Sequence, residues 1–178
     1  MAKATGRDAA RYLQMAEDGR AYMREHFMNA DGTFKLDVLN TMQTPALFAL
    51  KNGMVEGKAK EDMLARLRKN FEEHDNCLQT GFLGTSILMS TLTENGMEDI
   101  AYELLFQRKN PSWLYSVDNG ATTIWERWNS IQPDGSIIDG MNSFNHYSYG
   151  AIGDWLYRSA VGIREASPGY KKIVIRPH

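Results

Sequence analysis

Apolar side chains recur every three or four residues over 7–28, where Tyr12, Met15, Ala16, Gly19, Tyr22, Met23, His26 and Phe27 fall on one stripe. That spacing predicts an amphipathic helix with one face turned inward, His26 being either a satisfied core histidine or one favoured by the helix C-terminus. Asp31-Gly32 turns the chain. A second helix is predicted over 42–52, with Pro45 in its first turn, where the missing N–H has no partner to lose, and Asn52-Gly53 closing it. A third, over 57–74, sets Met63, Leu64, Leu67 and Phe71 against a solvated face of Lys58, Lys60, Glu61, Arg66, Arg68, Lys69, Glu72 and Glu73.

The pattern then predicts a helix over 82–94 and, after an Asn95-Gly96 turn, a partner carrying Met97, Ile100, Ala101, Leu104 and Leu105 that stops at Pro111-Ser112. A loop that short makes the two antiparallel neighbours. Gly81 and Gly84 leave room for a second backbone or for a ligand. Thr122-Thr123 opens a short helix to Trp128, and the last helix runs from Ser143, as its cap, to Ala160, with Gly162 ending it. Seven helical segments, no βαβ alternation, no glycine-rich phosphate loop and no repeat disfavour a nucleotide fold and predict an all-α array of antiparallel hairpins. The closing run IVIRPH alternates like a strand; lacking a partner elsewhere in the sequence, it predicts a truncation at the C-terminus, with a second one expected at the N-terminus.

Composition narrows the field. The apolar fraction of 43% over 178 residues is that of one globular domain with a real core, and a net charge of −2 gives no electrostatic case for nucleic acid or an anionic membrane. A single cysteine, Cys77, makes no intramolecular disulfide and suits a reducing compartment; no stretch reads as a signal or a membrane span, so a cytoplasmic site of action is expected. The four histidines are scattered without metal-ligand spacing. Neither metal nor cofactor is expected.

Chemistry concentrates in 119–155. Trp125, Trp128, Tyr147, Tyr149 and Trp155 supply flat apolar faces of the kind that pack on the C–H faces of sugars, while Glu126, Arg127, Asn142, Asn145 and His146 supply polar edges for hydroxyls. That combination suits a carbohydrate cleft. Each residue also has a plainer reading. Thr123-x-x-Glu126 matches a capping box, with Glu126 reaching back to its own helix start. His146 can bond a sugar or its water, or tie the last helix to the loop before it. Asn142 and Asn145 serve equally as turn residues, and Trp113 and Tyr115 as platform or core.

The segments GATTIWERW (120–128), NSFNHYSYGAIGDWLYR (142–158), VGI (161–163) and PGYKKIVIRP (168–177), preceded in order by TGFLGT (80–85), AYELL (101–105) and PSW (111–113), resemble the end of the catalytic domain of bacterial inverting α-L-rhamnosidases. The resemblance implies an (α/α)6 toroid of which this chain forms about half, with residues 1–166 belonging to that domain and 167–178 beginning a truncated β-domain. It implies hydrolysis of terminal α-L-rhamnose with inversion. Glu126 takes the family's general-base position, His146 a place in the rhamnose pocket, and Trp125, Trp128, Asn142 and Trp113 are expected to shape the substrate site. The family's general acid comes from an acidic loop with no match before Thr41, and Asp118, Asp134 and Asp139 are the local acids that can substitute. A chain without that loop is expected to be inactive or very weak alone. Half a toroid leaves apolar faces uncovered, so self-association or a missing N-terminal half of the barrel is expected. Two rival readings remain: a non-catalytic sugar-binding remnant, and a helical interaction module.

Overall fold

The structure is a computed structural model that describes residues 2–177. Helix α1 spans Ala10–Phe27, α2 Gln43–Lys51, α3 Gly57–Glu73, α4 Phe82–Glu94, α5 Glu98–Phe106 and α6 Trp113–Asp118; the last helical stretch winds from a 3-10 turn at Ser148–Ala151 through α7, Ile152–Trp155, into a π turn at Leu156–Ala160. The bulk is thus all-α, arranged as hairpins, with one antiparallel ribbon of β1, Ile163–Glu165, and β2, Ile173–Ile175.

The core lies where α2 and α4 face each other. Leu47 from α2, Phe71 from α3, Leu88 and Leu92 from α4 and Leu104 from α5 are sealed from solvent in one continuous cluster. The turns expected between these helices are present, with Gly32, Gly53 and Gly96 all at positive φ, as tight reversals require. Two polar groups stitch the cluster. Buried Gln43 donates from Nε2 to the Cys77 carbonyl at 3.2 Å and accepts from the Gln79 N–H at 2.7 Å, and Trp155 Nε1 donates to Thr93 Oγ1 at 2.8 Å, tying α7 to the end of α4.

Several expectations need correction. The inner stripe of α1 is not covered: Tyr12 (66% exposed), Met15, Tyr22 and Phe27 face solvent, and only the helix's C-terminal end reaches the core, through Met23 and Met28. Periodicity reports that a helix has an apolar face, not what packs on it. His26 is accordingly exposed, stacked on Tyr22 with centroids 4.1 Å apart and its Nδ1 bonded to the Tyr22 carbonyl. The short helix expected over 122–128 is an extended loop, because its backbone groups find partners across the loop rather than along it: the Glu126 N–H donates to the Ser143 carbonyl and the His146 N–H to the Ile124 carbonyl, each at 2.8 Å. For the same reason the last helix starts at Ser148, not Ser143.

In place of the absent helix there is α6, capped by Ser112 Oγ, which accepts from the Tyr115 N–H at 3.0 Å. The closing strand does have a partner: Ile173, Val174 and Ile175 pair with Glu165, Arg164 and Ile163. The return is fixed at Gly162, at φ +76°, where the Arg176 backbone approaches so closely that no Cβ fits. His178, the end of the predicted strand, lies outside the described residues. Among the described residues, no helix is long and apolar enough to cross a membrane.

Candidate active site

Two irregular loop segments, 123–126 and 143–146, form the frame. Besides the two backbone bonds above, Thr123 Oγ1 donates to the Phe144 carbonyl, and the Ser143 N–H donates to Glu126 Oε2 at 2.6 Å. The capping box implied by Thr123-x-x-Glu126 therefore does not form. The carboxylate is instead held by a charge-assisted bond from across the loop. The half-buried Glu126 keeps its other oxygen, Oε1, without a hydrogen-bond partner among the described residues.

That carboxylate opens on a cleft of about 270 Å³ lined also by Asn110, Pro111, Arg127, Trp128, Asn129 and Tyr149. Its apolar wall is a stacked pair: the Trp128 and Tyr149 rings lie 3.8 Å apart at 15°. Trp128 is fixed further by Nε1, which donates to the Thr80 carbonyl at 3.3 Å, and by an edge-on contact with Trp113. Trp113, buried, donates from Nε1 to the Tyr149 carbonyl at 2.8 Å, so it supports the wall from behind. A flat indole wall beside a carboxylate is what a sugar ring with an equatorial or axial hydroxyl array needs.

The other expected site residues are distributed around this cleft. Trp125 is buried edge-on against Phe144 and lines a second, apolar cleft of about 410 Å³ shared with Trp113, Trp128, Ile124 and Leu156. His146 is half-buried and stacked on Phe82, with centroids 4.6 Å apart, and on Tyr147; its Nδ1 accepts from the Ser148 N–H at 3.4 Å. Asn142 clamps the loop: Oδ1 accepts from Ser130 Oγ at 2.5 Å and Nδ2 donates to the Ile138 carbonyl at 3.2 Å. None of the three lines the Glu126 cleft.

Of the alternative acids, Asp118 accepts from Arg108 and Asp134 from Ser136, whose hydroxyl and N–H hold the Asp134 carboxyl below its usual range; among the described residues, no carboxylate but Glu126 lines the cleft. Among the described residues, no group of histidine, cysteine or acidic side chains could hold a metal ion.

Tyr149 is legible in the sequence as one of the aromatic faces suited to a sugar, but its pairing with Trp128 is not, since stacking across 21 positions has no local pattern; Phe82, packed on Tyr149 and His146, reads in the sequence only as an apolar position of α4. Burial pushes the Tyr149 phenol above its ordinary pKa, with Arg127 pulling it down and Glu126 pushing it up, so these charges and the phenol share one environment.

Residues 1–160 match the family model described as the bacterial alpha-L-rhamnosidase 6 hairpin glycosidase domain. An alpha-L-rhamnosidase of Streptomyces avermitilis is 42% identical over 178 residues, 99% of this chain and 17% of its own length; one of Formosa agariphila is 43% identical over 159 residues, 89% of this chain and again 17% of its own. Among solved structures, the S. avermitilis alpha-L-rhamnosidase complexed with L-rhamnose superposes with a TM-score of 0.90 at 41% identity, covering 99% of this chain and 17% of that one. The native enzyme of Aspergillus terreus gives 0.88 at 34% identity, covering 96% of this chain and 20% of that one. The chain thus spans about a fifth or less of the length of these relatives.

Proposed function

Because the chain belongs to the bacterial α-L-rhamnosidase family with the six-hairpin glycosidase domain, we propose that it carries the general-base side of a site that hydrolyses terminal α-L-rhamnose from a glycoside with inversion. Glu126 Oε1 takes a proton from a water molecule as the water oxygen bonds to the anomeric carbon. A carboxylic acid on the opposite face protonates the departing glycosidic oxygen, and the product leaves as the β anomer. Trp128 backs the sugar, Trp113 braces that wall, Trp125 holds the loop, Asn142 sets its course, and His146 lies at the edge of the pocket.

The observation that carries this reading is the state of Glu126: one oxygen is anchored to the Ser143 N–H at 2.6 Å, the other has no hydrogen-bond partner among the described residues, and the residue lines a cleft walled by stacked rings. A carboxylate so oriented accepts a proton without reorganising. The S. avermitilis relative, solved with L-rhamnose, supports the choice of sugar.

Among the described residues no second carboxylate lines the cleft, which supports an acid supplied from outside this chain and a chain that is inactive or very weak alone. The same observation favours a second reading, a sugar-binding remnant without turnover. We place the protein in the cytoplasm on the strength of its single buried thiol. The uncovered stripe on α1 is covered in use, by the remaining hairpins of a toroid or by a second copy.

The test grafts this chain over the matching segment of the S. avermitilis enzyme and follows release of nitrophenol from an aryl α-L-rhamnoside. The graft is expected to turn over, to give β-L-rhamnose first by NMR, and to lose about 10² to 10⁴ in kcat with Glu126→Gln. Full activity in Glu126→Gln removes Glu126 from the mechanism; a folded, sugar-binding but inactive graft leaves the second reading.

A further inference from the structure

We propose that Tyr149 is a substrate-binding residue of this site, its hydroxyl donating a hydrogen bond to one hydroxyl of the bound sugar. The proposal rests on the reading of the Glu126 cleft as a sugar site.

The ring is fixed on every side that matters. Tyr149 is 7% exposed, stacked on Trp128 at 3.8 Å, tilted against Phe82 with centroids 5.2 Å apart, and its own carbonyl receives the Trp113 Nε1–H at 2.8 Å. A phenol held this way points its hydroxyl in one direction only. That direction is set by its neighbours: Tyr149 lines the cleft together with Glu126 and Arg127, and its phenol feels the charge of both.

The polar tips of the surrounding aromatics are used by the protein. Trp113 donates to the Tyr149 carbonyl, Trp128 to the Thr80 carbonyl, Trp155 to Thr93 Oγ1 at 2.8 Å and the Tyr115 hydroxyl to the Ile131 carbonyl at 2.9 Å. Trp125, whose Nε1 has no such partner among the described residues, faces the apolar cleft. The Tyr149 hydroxyl likewise has no protein partner among the described residues, and it is not among the sealed side-chain atoms left without one, so on an otherwise buried ring that lines the cleft it stays open to solvent. A donor held on a fixed ring and left to water is available to a ligand hydroxyl that displaces that water. Burial keeps the phenol protonated through neutral pH, so it acts there as a donor, while Glu126 Oε1 is an acceptor. A donor and an acceptor beside a flat ring wall are complementary to a polyhydroxylated pyranose and not to an alkyl chain.

The experiment is isothermal titration of the S. avermitilis enzyme carrying this chain over its matching segment with L-rhamnose and with its 2-, 3- and 4-deoxy analogues, for the unsubstituted graft and Tyr149→Phe. The expected result is an L-rhamnose affinity about fivefold to tenfold weaker in Tyr149→Phe, with that difference vanishing for one deoxy analogue and persisting for the other two. A purely structural ring would weaken all four sugars by the same factor, and that outcome overturns the proposal, as does an unchanged affinity. An unsubstituted graft that takes up no L-rhamnose overturns the sugar reading of the cleft itself, a result distinct from either.

Discussion

Gly84 sits in α4 at the point where that helix crosses α2, and Gly84→Ala isolates what the crossing is worth. A Cβ added there would fall on Thr44 Oγ1 of α2 and within 2.8 and 2.9 Å of Thr80 Cγ2 and Cβ. The Thr80 Cβ is rigidly tied to its backbone, and its hydroxyl is bonded to Thr85 Oγ1 at 2.8 Å, so neither threonine swings away freely. Overpacking of this kind costs about 1 to 3 kcal/mol, against about 1 kcal/mol gained from replacing glycine by alanine inside a helix. With all three contacts under 3.0 Å the cost falls in the upper half of that range, about 2 to 3 kcal/mol, so the net expectation is a destabilisation of about 1 to 2 kcal/mol, read as a lowered midpoint in urea with an unchanged slope. Gly81→Ala serves as the control, because nothing lies within 4 Å of its added Cβ. Thr44→Ala combined with Gly84→Ala should recover part of the loss, since it removes the oxygen in the way. The displaced Thr80 also carries the carbonyl that holds Trp128 Nε1, so the substitution should blue-shift or broaden indole emission while Gly81→Ala does not. If Gly84→Ala is as stable as the parent or more so, the two helices do not touch at this glycine and the packing argument fails.

Two further outcomes are expected. Cys77 is buried, and burial pushes its thiol above the ordinary pKa; the thiolate is therefore scarcer than for a free cysteine at every pH below that raised value, and iodoacetamide labelling of the native chain at pH 7 to 8 should be slower than labelling in urea by at least tenfold. Equal rates would show the site to be open. The exposed stripe of Tyr12, Met15, Tyr22 and Phe27 predicts sedimentation that depends on concentration, abolished when Tyr12 and Met15 are both changed to glutamate; a monomer at every concentration would show the stripe to be inert in the isolated chain.

Much of the helical scaffold was legible because its cause is local. Met63, Leu67 and Phe71 recur at helical spacing and are buried as that spacing requires; Asn95-Gly96 closes a hairpin because glycine alone enters the positive φ found there without strain. Where the cause is distant, the pattern was silent or misleading. The stripe of α1 has the same periodicity as that of α3, yet nothing among the described residues covers most of it, and no property of residues 10–27 records the difference. The pairing of 173–175 with 163–165 escaped notice because the earlier strand is three residues long and reads Ile-Arg-Glu, with one apolar side chain to announce it. Ser112, by contrast, carries a local signal: a serine directly ahead of Trp113 and Tyr115 suits a helix cap, but beside Pro111 it reads equally as the stop of α5.

The site itself shows why a motif can name a residue and still misplace it. Thr123 and Glu126 have capping-box spacing, and in a helix they would satisfy each other's backbone; here both turn to 143–144 instead, because two further backbone bonds between 123–126 and 143–146 form only if the first segment stays out of a helix. Each such bond contributes about 0.5 to 1.5 kcal/mol net, more where the acceptor is charged, so the ladder as a set outweighs the single turn of helix it replaces. The donor that orients Glu126 is a backbone N–H, which leaves no trace in the identity of residue 143. What the sequence does record is the cost of the arrangement: a loop this long keeps its course through Asn142, whose amide bonds Ser130 and Ile138, and through Gly140 and Gly135 at positive φ. The carboxylate is precise because the loop around it is stapled, and the staples, not the motif, are what place its free oxygen in the cleft with Trp128 and Tyr149.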